Sequence, residues 1–249
     1  MPLAVSEGFI ITRFDWKESS LIVRCFTRER GKINIVAKGA RRQKSRLGSM
    51  LETFSRLKLV LYIKHGSELS TLKEAENLDH YQLIRTELER FAIACFYFEI
   101  LDTGLAPHEK NSALFALTKT FLESLNNRDW NARSTPPYFL KLVAKLGFAP
   151  SLSQCRYCHI CSGLKYFDPA RGTSVCARCA KKSETLMEIS EQLTNKMALV
   201  YSGEKKSKEL ASWQESDMPG FYRFLRRFVE YHFEKGLKSG DFLMQQLSG

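Results

Sequence analysis

SLIVRCFTRERGKINIVAKG, residues 20–39, is two short runs of β-branched and aromatic residues joined by the turn-like piece RERG, in which Gly31 makes the turn into the second run. Such runs, bounded by turn residues, read as strands. Upstream, across DWKES, lies another, GFIITRF (8–14); downstream lie RLKLVLYIK (56–64) and SELSTLKEAE (67–76), parted by KHG. Five short strands in the first eighty residues, with a long excursion between the third and fourth, predict an OB-fold β-barrel. A plain open sheet is the alternative.

After residue 80 the period changes from strand-like to helical. YQLIRTELERFAIACFYFEILDTGL (81–105) reads as one helix with Leu83, Leu88, Phe91, Cys95, Phe98 and Leu101 or Asp102 along a side, its 91–106 part buried. NSALFALTKTFLESLN (111–126) opens on an Asn-Ser cap, PPYFLKLVAKLGF (136–148) starts on prolines and meets Gly147, and helices follow over 190–203 and 219–236. The expected fold class is therefore α+β and multidomain. An OB-fold nucleic-acid-binding domain over 1–80 is followed by a mostly helical domain over 81–249 that carries a cysteine segment, 155–179.

Of 249 residues, 44% are apolar, enough for real cores. The opening MPLAVSEGF has no basic, then apolar, leader, and no stretch reaches the eighteen or so apolar residues of a membrane span. The expectation is a cytoplasmic protein with no membrane partner. Its net charge of +11 is uneven: +6 over 1–80, +1 over 81–150, +5 over 151–182 and −1 over 183–249. Local excesses of this kind are the footprint of a polyanion partner.

Five of the seven cysteines fall within 155–179, in CRYCHIC and CARC. In a reducing compartment close cysteines are metal ligands or redox pairs, and an odd count fits a disulfide framework poorly. Cys155/Cys158 and Cys176/Cys179 leave seventeen residues between the pairs, the spacing of a zinc ribbon. The expected ligand set is Cys155, Cys158, Cys176 and Cys179 around one structural Zn2+, with Cys161 spare, since pairing from Cys161 leaves fourteen. His159 stands where a knuckle asks for positive φ, and His is among the few non-glycine residues enriched there. Four thiolates leave no open coordination site for catalysis, and no βαβ unit supports a thioredoxin-type pair. No nucleophile–base set or phosphate loop emerges either, so no enzyme is expected.

Residues 28–46 hold eight basic side chains, Arg28, Arg30, Lys32, Lys38, Arg41, Arg42, Lys44 and Arg46, against one acid. A charge run is often a solvated face. On the excursion of an OB barrel, whose groove tracks single-stranded backbones, it points to nucleic acid. Trp16, in DWKES, is either a stacking platform or a cover for the barrel end.

ESSLIVRCFTRERGKINIVAKGARRQKSR (18–46), with its A-K-G-A-R-R core, resembles the RecO family of bacterial recombination mediators, as do FYFEILDTGL (96–105) and LGFAPSLSQCRYC (146–158), the lead into the family's zinc segment. The resemblance spans the chain and weakens after about residue 185. His159 replaces the family's usual Gly, Gly172-Thr173 its common Gly-Gly, and Cys161 is additional. Some members lack the zinc cysteines, so the metal is inferred from these residues and not from the family.

The resemblance implies a bacterial, nucleoid-associated protein of DNA repair and recombination. It would bind single- and double-stranded DNA, anneal complementary strands, associate with RecR, contact the acidic C-terminal tail of single-strand-binding protein, and through these steps help load RecA. For the tail, the helix GFYRFLRRFVEYHFEKG (220–236) offers Arg223, Arg226 and Arg227 beside an aromatic stripe that otherwise reads as core. The competing class is a zinc-ribbon and OB-fold RNA-binding or ribosome-associated factor.

Overall fold

The computed structural model describes residues 2–43, 45–63, 69–202 and 213–247. Five strands open it: β1 (Leu3–Trp16), β2 (Ser20–Thr27), β3 (Gly31–Ala37), β4 (Arg56–Tyr62) and β5 (Leu69–Asp79). They close into a barrel in the order β1-β2-β3-β5-β4, with β1 paired to both β2 and β4 and only β3–β5 parallel. That is an OB-type barrel, as the strand pattern predicts, and the second pairing of β1 excludes an open sheet. Alternation fills it: Leu21, Val23 and Cys25 of β2, Ile33 and Ile35 of β3, and Leu57, Leu59 and Leu61 of β4 share one buried cluster. Each such side chain contributes about 1.5–3 kcal/mol when fully buried.

β1 begins five residues earlier than its apolar run suggests, because Leu3 to Glu7 pair with β4 despite their mixed polarity. A bulge interrupts it: Ile10 faces Cys25 and Thr12 faces Arg24, so Ile11 is an extra residue. At the β2–β3 turn Gly31 has φ +66°, and a Cβ there would come within 2.1 Å of the Glu109 carbonyl oxygen. Glycine alone meets both conditions.

The chain divides into two compact units, residues 1–94 with 101–128, and 95–100 with 129–249. In the first, a short helix α1 (Leu47–Met50) sits in the β3–β4 excursion, and α2 (Gln82–Thr86), α3 (Leu88–Gly104), whose residues 95–100 belong to the second unit, and α4 (Ser112–Leu125) follow the barrel. The expected single helix over 81–105 is thus two. Glu87 between them is extended (φ −114°, ψ 118°), and Asn126 Oδ1 accepts from the Leu83 amide at 2.9 Å. Arg90, only 4% exposed, donates to the Leu125 and Asn127 carbonyls at 2.6 and 2.5 Å, satisfying the end of α4. The Asn111 side chain caps α4 through the Leu114 amide. The expected stripe on α3 holds only in its second half, where Phe98 and Leu101 are buried. Leu88 and Phe91 are exposed while Ala92, Ile93, Phe96, Tyr97 and Ile100 are buried, so α3 is apolar on most of its circumference.

The second unit holds α5 (Pro136–Lys145), a small sheet of β6 (Tyr166–Asp168), β7 (Thr173–Val175) and β8 (Met187–Glu188) in the order β7-β6-β8, then α6 (Glu191–Tyr201), α7 (Met218–Phe233) and α8 (Lys238–Leu247). Its core is aromatic. Phe139 meets Phe96 at 5.5 Å and Tyr222 at 5.6 Å between ring centroids, and Phe167 packs on Phe224 at 4.8 Å. α8, which periodicity did not reveal, starts on Glu99, whose carboxylate accepts from the Lys238 and Ser239 amides at 3.2 and 2.8 Å. No helix among the described residues is long and apolar enough to cross a membrane.

Candidate metal centre and nucleic-acid interface

The cysteine segment folds as two knuckles on a hairpin. Ser151 bonds to Gly172 and Ser174 (2.7 and 2.9 Å), which lays the chain beside β7 just before the first knuckle. There the Cys155 amide donates to Ile160 O and the His159 amide to Cys155 O, at 2.8 and 2.9 Å. His159 takes φ +57°, the conformation the knuckle requires. Register between β6 and β7, with Tyr166 opposite Val175, delivers Cys176, and the Cys179 amide closes the second knuckle on Cys176 O.

Four sulfurs result, those of Cys155, Cys158, Cys176 and Cys179, all within 4.8 Å of one another. Cys158 and Cys176 Sγ are 3.6 Å apart. Zn–S bonds of about 2.3 Å set tetrahedral sulfurs about 3.8 Å apart, so one ion fits this group. Its electrostatics fit as well. Burial alone would push the Cys155 thiol up, yet the amides of Cys176, Cys158 and Tyr157 outweigh it and bring it down to about 6. Burial and the neighbouring sulfurs push Cys179 up to about 12. Four thiols this close cannot all ionise unaided, and a divalent cation removes the conflict. The group can hold a metal ion. Cys161 lies outside it, exposed, its thiol donating to His159 O at 3.8 Å.

Around the knuckles Arg156, Lys165, Arg178, Lys181 and Lys182 are exposed. Asp168, 1% exposed, accepts from Ser183 and Thr185 hydroxyls at 2.7 and 2.8 Å and lies 3.7 Å from Arg171. It fixes the chain that leaves the second knuckle.

The structure separates the eight basic residues of 28–46. Leu21 pairs with Ala37 at one end of β2–β3, and Thr27 with Gly31 at the other, about 20 Å away at 3.3 Å per residue. Lys38, Arg41, Arg42 and Arg46 are exposed at the first end, beside the β1–β2 turn. Arg28 and Arg30 are at the second, with Lys32, whose ammonium is held by the Asp102 carbonyl and carboxylate. Lys44 lies outside the described residues. At the first end an open cleft of about 460 Å³ is lined by Arg13, Asp15, Leu21, Arg41, Ser49 and Glu52, among others. Arg41 pairs with Asp15 at 3.0 Å, Arg13 donates to Gly48 O at 3.1 Å, and Glu52 pairs with Arg85 at 3.1 Å.

On α7, Phe221, Phe224, Leu225 and Phe228 are buried, so the aromatic stripe is core; Tyr231 is exposed. Arg226 pairs with Glu230 and Asp241 at 2.9 and 2.7 Å. Arg223 and Arg227 are exposed and form no ion pair with any described residue.

Comparison with known proteins agrees with this architecture. The family model for recombination protein O, N terminal, matches residues 1–81, and that for its C terminal matches 85–241. The chain belongs to the RecO family. DNA repair protein RecO of Oceanobacillus iheyensis is 34% identical over 193 residues, 78% of this chain and 74% of that protein. DNA repair protein RecO of Listeria monocytogenes is 29% identical over 195 residues (78% and 76%), and that of Symbiobacterium thermophilum 28% over 248 residues (98% and 97%). This chain is thus a DNA repair protein of the RecO family. Two groups beside its barrel mouth escaped the sequence reading. Arg13 reaches the cleft from β1, and Phe14 is 49% exposed next to Trp16 at 42%.

Proposed function

We propose that this protein is a non-catalytic recombination mediator. It binds single- and double-stranded DNA, anneals complementary strands, and with RecR helps load RecA onto DNA covered by single-strand-binding protein. The observation that carries the reading is the set of exposed cations, Lys38, Arg41, Arg42 and Arg46, on the β3–β4 excursion at one end of an OB barrel, with Arg41 lining the cleft there. Phosphate contacts of this type are indifferent to sequence, as a factor acting anywhere on a chromosome requires. Residues 1–80 are the DNA-binding domain, and 81–249 hold one structural Zn2+ on Cys155, Cys158, Cys176 and Cys179, presenting a second basic segment. Annealing needs two polyanions neutralised, and two basic segments support that. The place of action is the bacterial cytoplasm, on the nucleoid.

The test is a titration with a labelled single strand at two salt concentrations, with RNA as competitor, followed by an annealing assay. Binding should weaken steeply with salt, DNA should resist RNA competition, and annealing of complementary strands should accelerate. RNA displacing the DNA at equal nucleotide concentration would favour the RNA-binding class instead.

For the acidic tail of single-strand-binding protein we assign Arg223 and Arg227, one turn apart on α7, with Arg226 tied to its acidic neighbours. Arg223→Glu with Arg227→Glu should abolish binding of a tail peptide and leave binding to naked DNA intact. Equal loss of both, or unchanged peptide binding, would remove these residues from the tail site.

A further inference from the structure

We infer that the outer face of β1–β3 is a stacking strip for unpaired bases, which makes the barrel's DNA contact selective for single strands. This deepens the DNA-binding reading and rests on it. Register places the side chains. Leu21, Val23 and Cys25 point into the barrel, so Ser20, Ile22 and Arg24 point out. Beyond the bulge at Ile11, Phe14 faces Ile22 and Trp16 faces Ser20, while Ile22 faces Val36 across β3. Phe14, Ile22 and Val36 therefore form one apolar row over three strands, with Trp16 beside its aromatic end.

That row is uncovered where it matters. Lower on the same face, Arg24 bonds to Asn34 Oδ1 (3.3 Å) and to Asp102 (2.6 Å), so segment 102–109 covers the end near Lys32. Above it Phe14 and Trp16 remain 49% and 42% exposed and Ile22 and Val36 partly so. The Arg24 guanidinium, 5.8 Å from the Phe14 centroid, steadies that ring. Two large exposed aromatics on one strand face are an unusual feature for a soluble surface unless something stacks on them.

Charge selects the occupant. Lys38, Arg41 and Arg42 rim the same end of the barrel, so the ligand is a polyanion carrying flat apolar faces. A single strand offers both together. In a duplex the faces are hidden in the stack and only phosphates remain. The β2–β3 face with the β1–β2 loop is also the surface on which barrels of this strand order receive oligonucleotides.

The test uses the full chain, a poly-dT oligonucleotide and a blunt duplex of equal length. Phe14→Leu with Trp16→Leu should weaken poly-dT binding about tenfold or more, leave duplex binding unchanged, and leave the salt slope unaltered because no cation is lost. Trp16→Phe, which keeps a ring, should retain most of the affinity and lose the quenching of tryptophan emission by poly-dT seen with the wild type. Unchanged poly-dT binding, or an equal loss for duplex and poly-dT with the variant folded by circular dichroism, overturns the strip and leaves the DNA-binding reading standing. A wild type that binds neither form overturns both. Were the double variant to unfold, wild-type tryptophan emission unquenched by poly-dT would by itself overturn the strip.

Discussion

Replacing Cys155 or Cys179 with Ser should abolish metal binding by the four-cysteine group and unfold the ribbon, while Cys161→Ser should leave both intact. The size of the effect follows from how little else holds this segment beyond Phe167 of β6, packed on Phe224. Its strands are three, three and two residues long, and its cluster is Leu164 and Val175 with the cysteines themselves, flanked by Tyr157, Tyr166 and Leu186. Sheets this short have no independent stability. Structural zinc on four thiolates contributes about 10–16 kcal/mol of apparent binding free energy at neutral pH, and that energy is folding energy for the ribbon. Removing one ligand loses most of it and also leaves a partly buried thiolate set with no cation. Elemental analysis should give about one zinc per chain for the wild type and Cys161→Ser, and none for the other two. Their melting curves should show an early transition that chelators reproduce in the wild type. Full zinc in Cys155→Ser with none in Cys161→Ser would move the fourth ligand to Cys161.

The second large effect is electrostatic. Exchanging Lys38, Arg41, Arg42 and Arg46 together for Ala should flatten the plot of log affinity against log salt and weaken every DNA sequence alike. Four phosphate contacts would be worth a slope change of about 3.6, at about 0.9 each. Arg41 already has Asp15 at 3.0 Å and would exchange that partner for phosphate, so the expected change is nearer three. Carried from 1 M to physiological salt, such a slope corresponds to on the order of a hundredfold in affinity. An unchanged slope would make this loop a solvated face and transfer the contact to the basic residues around the knuckles.

The barrel was legible because its strands alternate cleanly and their turns carry glycine and charge, as in RERG. The four-cysteine group was legible because thiolate ligation fixes spacing within a knuckle. What escaped had local causes. The bulge at Ile11 reverses the parity of β1, so counting from the core residue Ile10 puts Phe14 and Trp16 inside the barrel when they are outside. Nothing in GFIITRF marks that extra residue. The start of α2 is capped by Asn126, forty-three positions from Leu83, and the helix breaks from α3 at the extended Glu87. α8 depends on Glu99, which no local pattern connects to Lys238 and Ser239. Both are tertiary partners overriding an otherwise continuous or ambiguous helical pattern. The partition of the cations was invisible for the same reason: adjacency in sequence placed Arg28 and Arg41 in one run, and the hairpin sets them at opposite ends.

That hairpin also acts as a ruler. Arg28 and Arg30 stand about 20 Å from the arginines of the cleft, roughly six nucleotides of a strand at about 3.4 Å each. Were both ends to hold phosphates, affinity measured along a ladder of oligonucleotide lengths should rise in a step near that length and not smoothly. Arg28→Ala with Arg30→Ala would erase the step while sparing the shorter rungs.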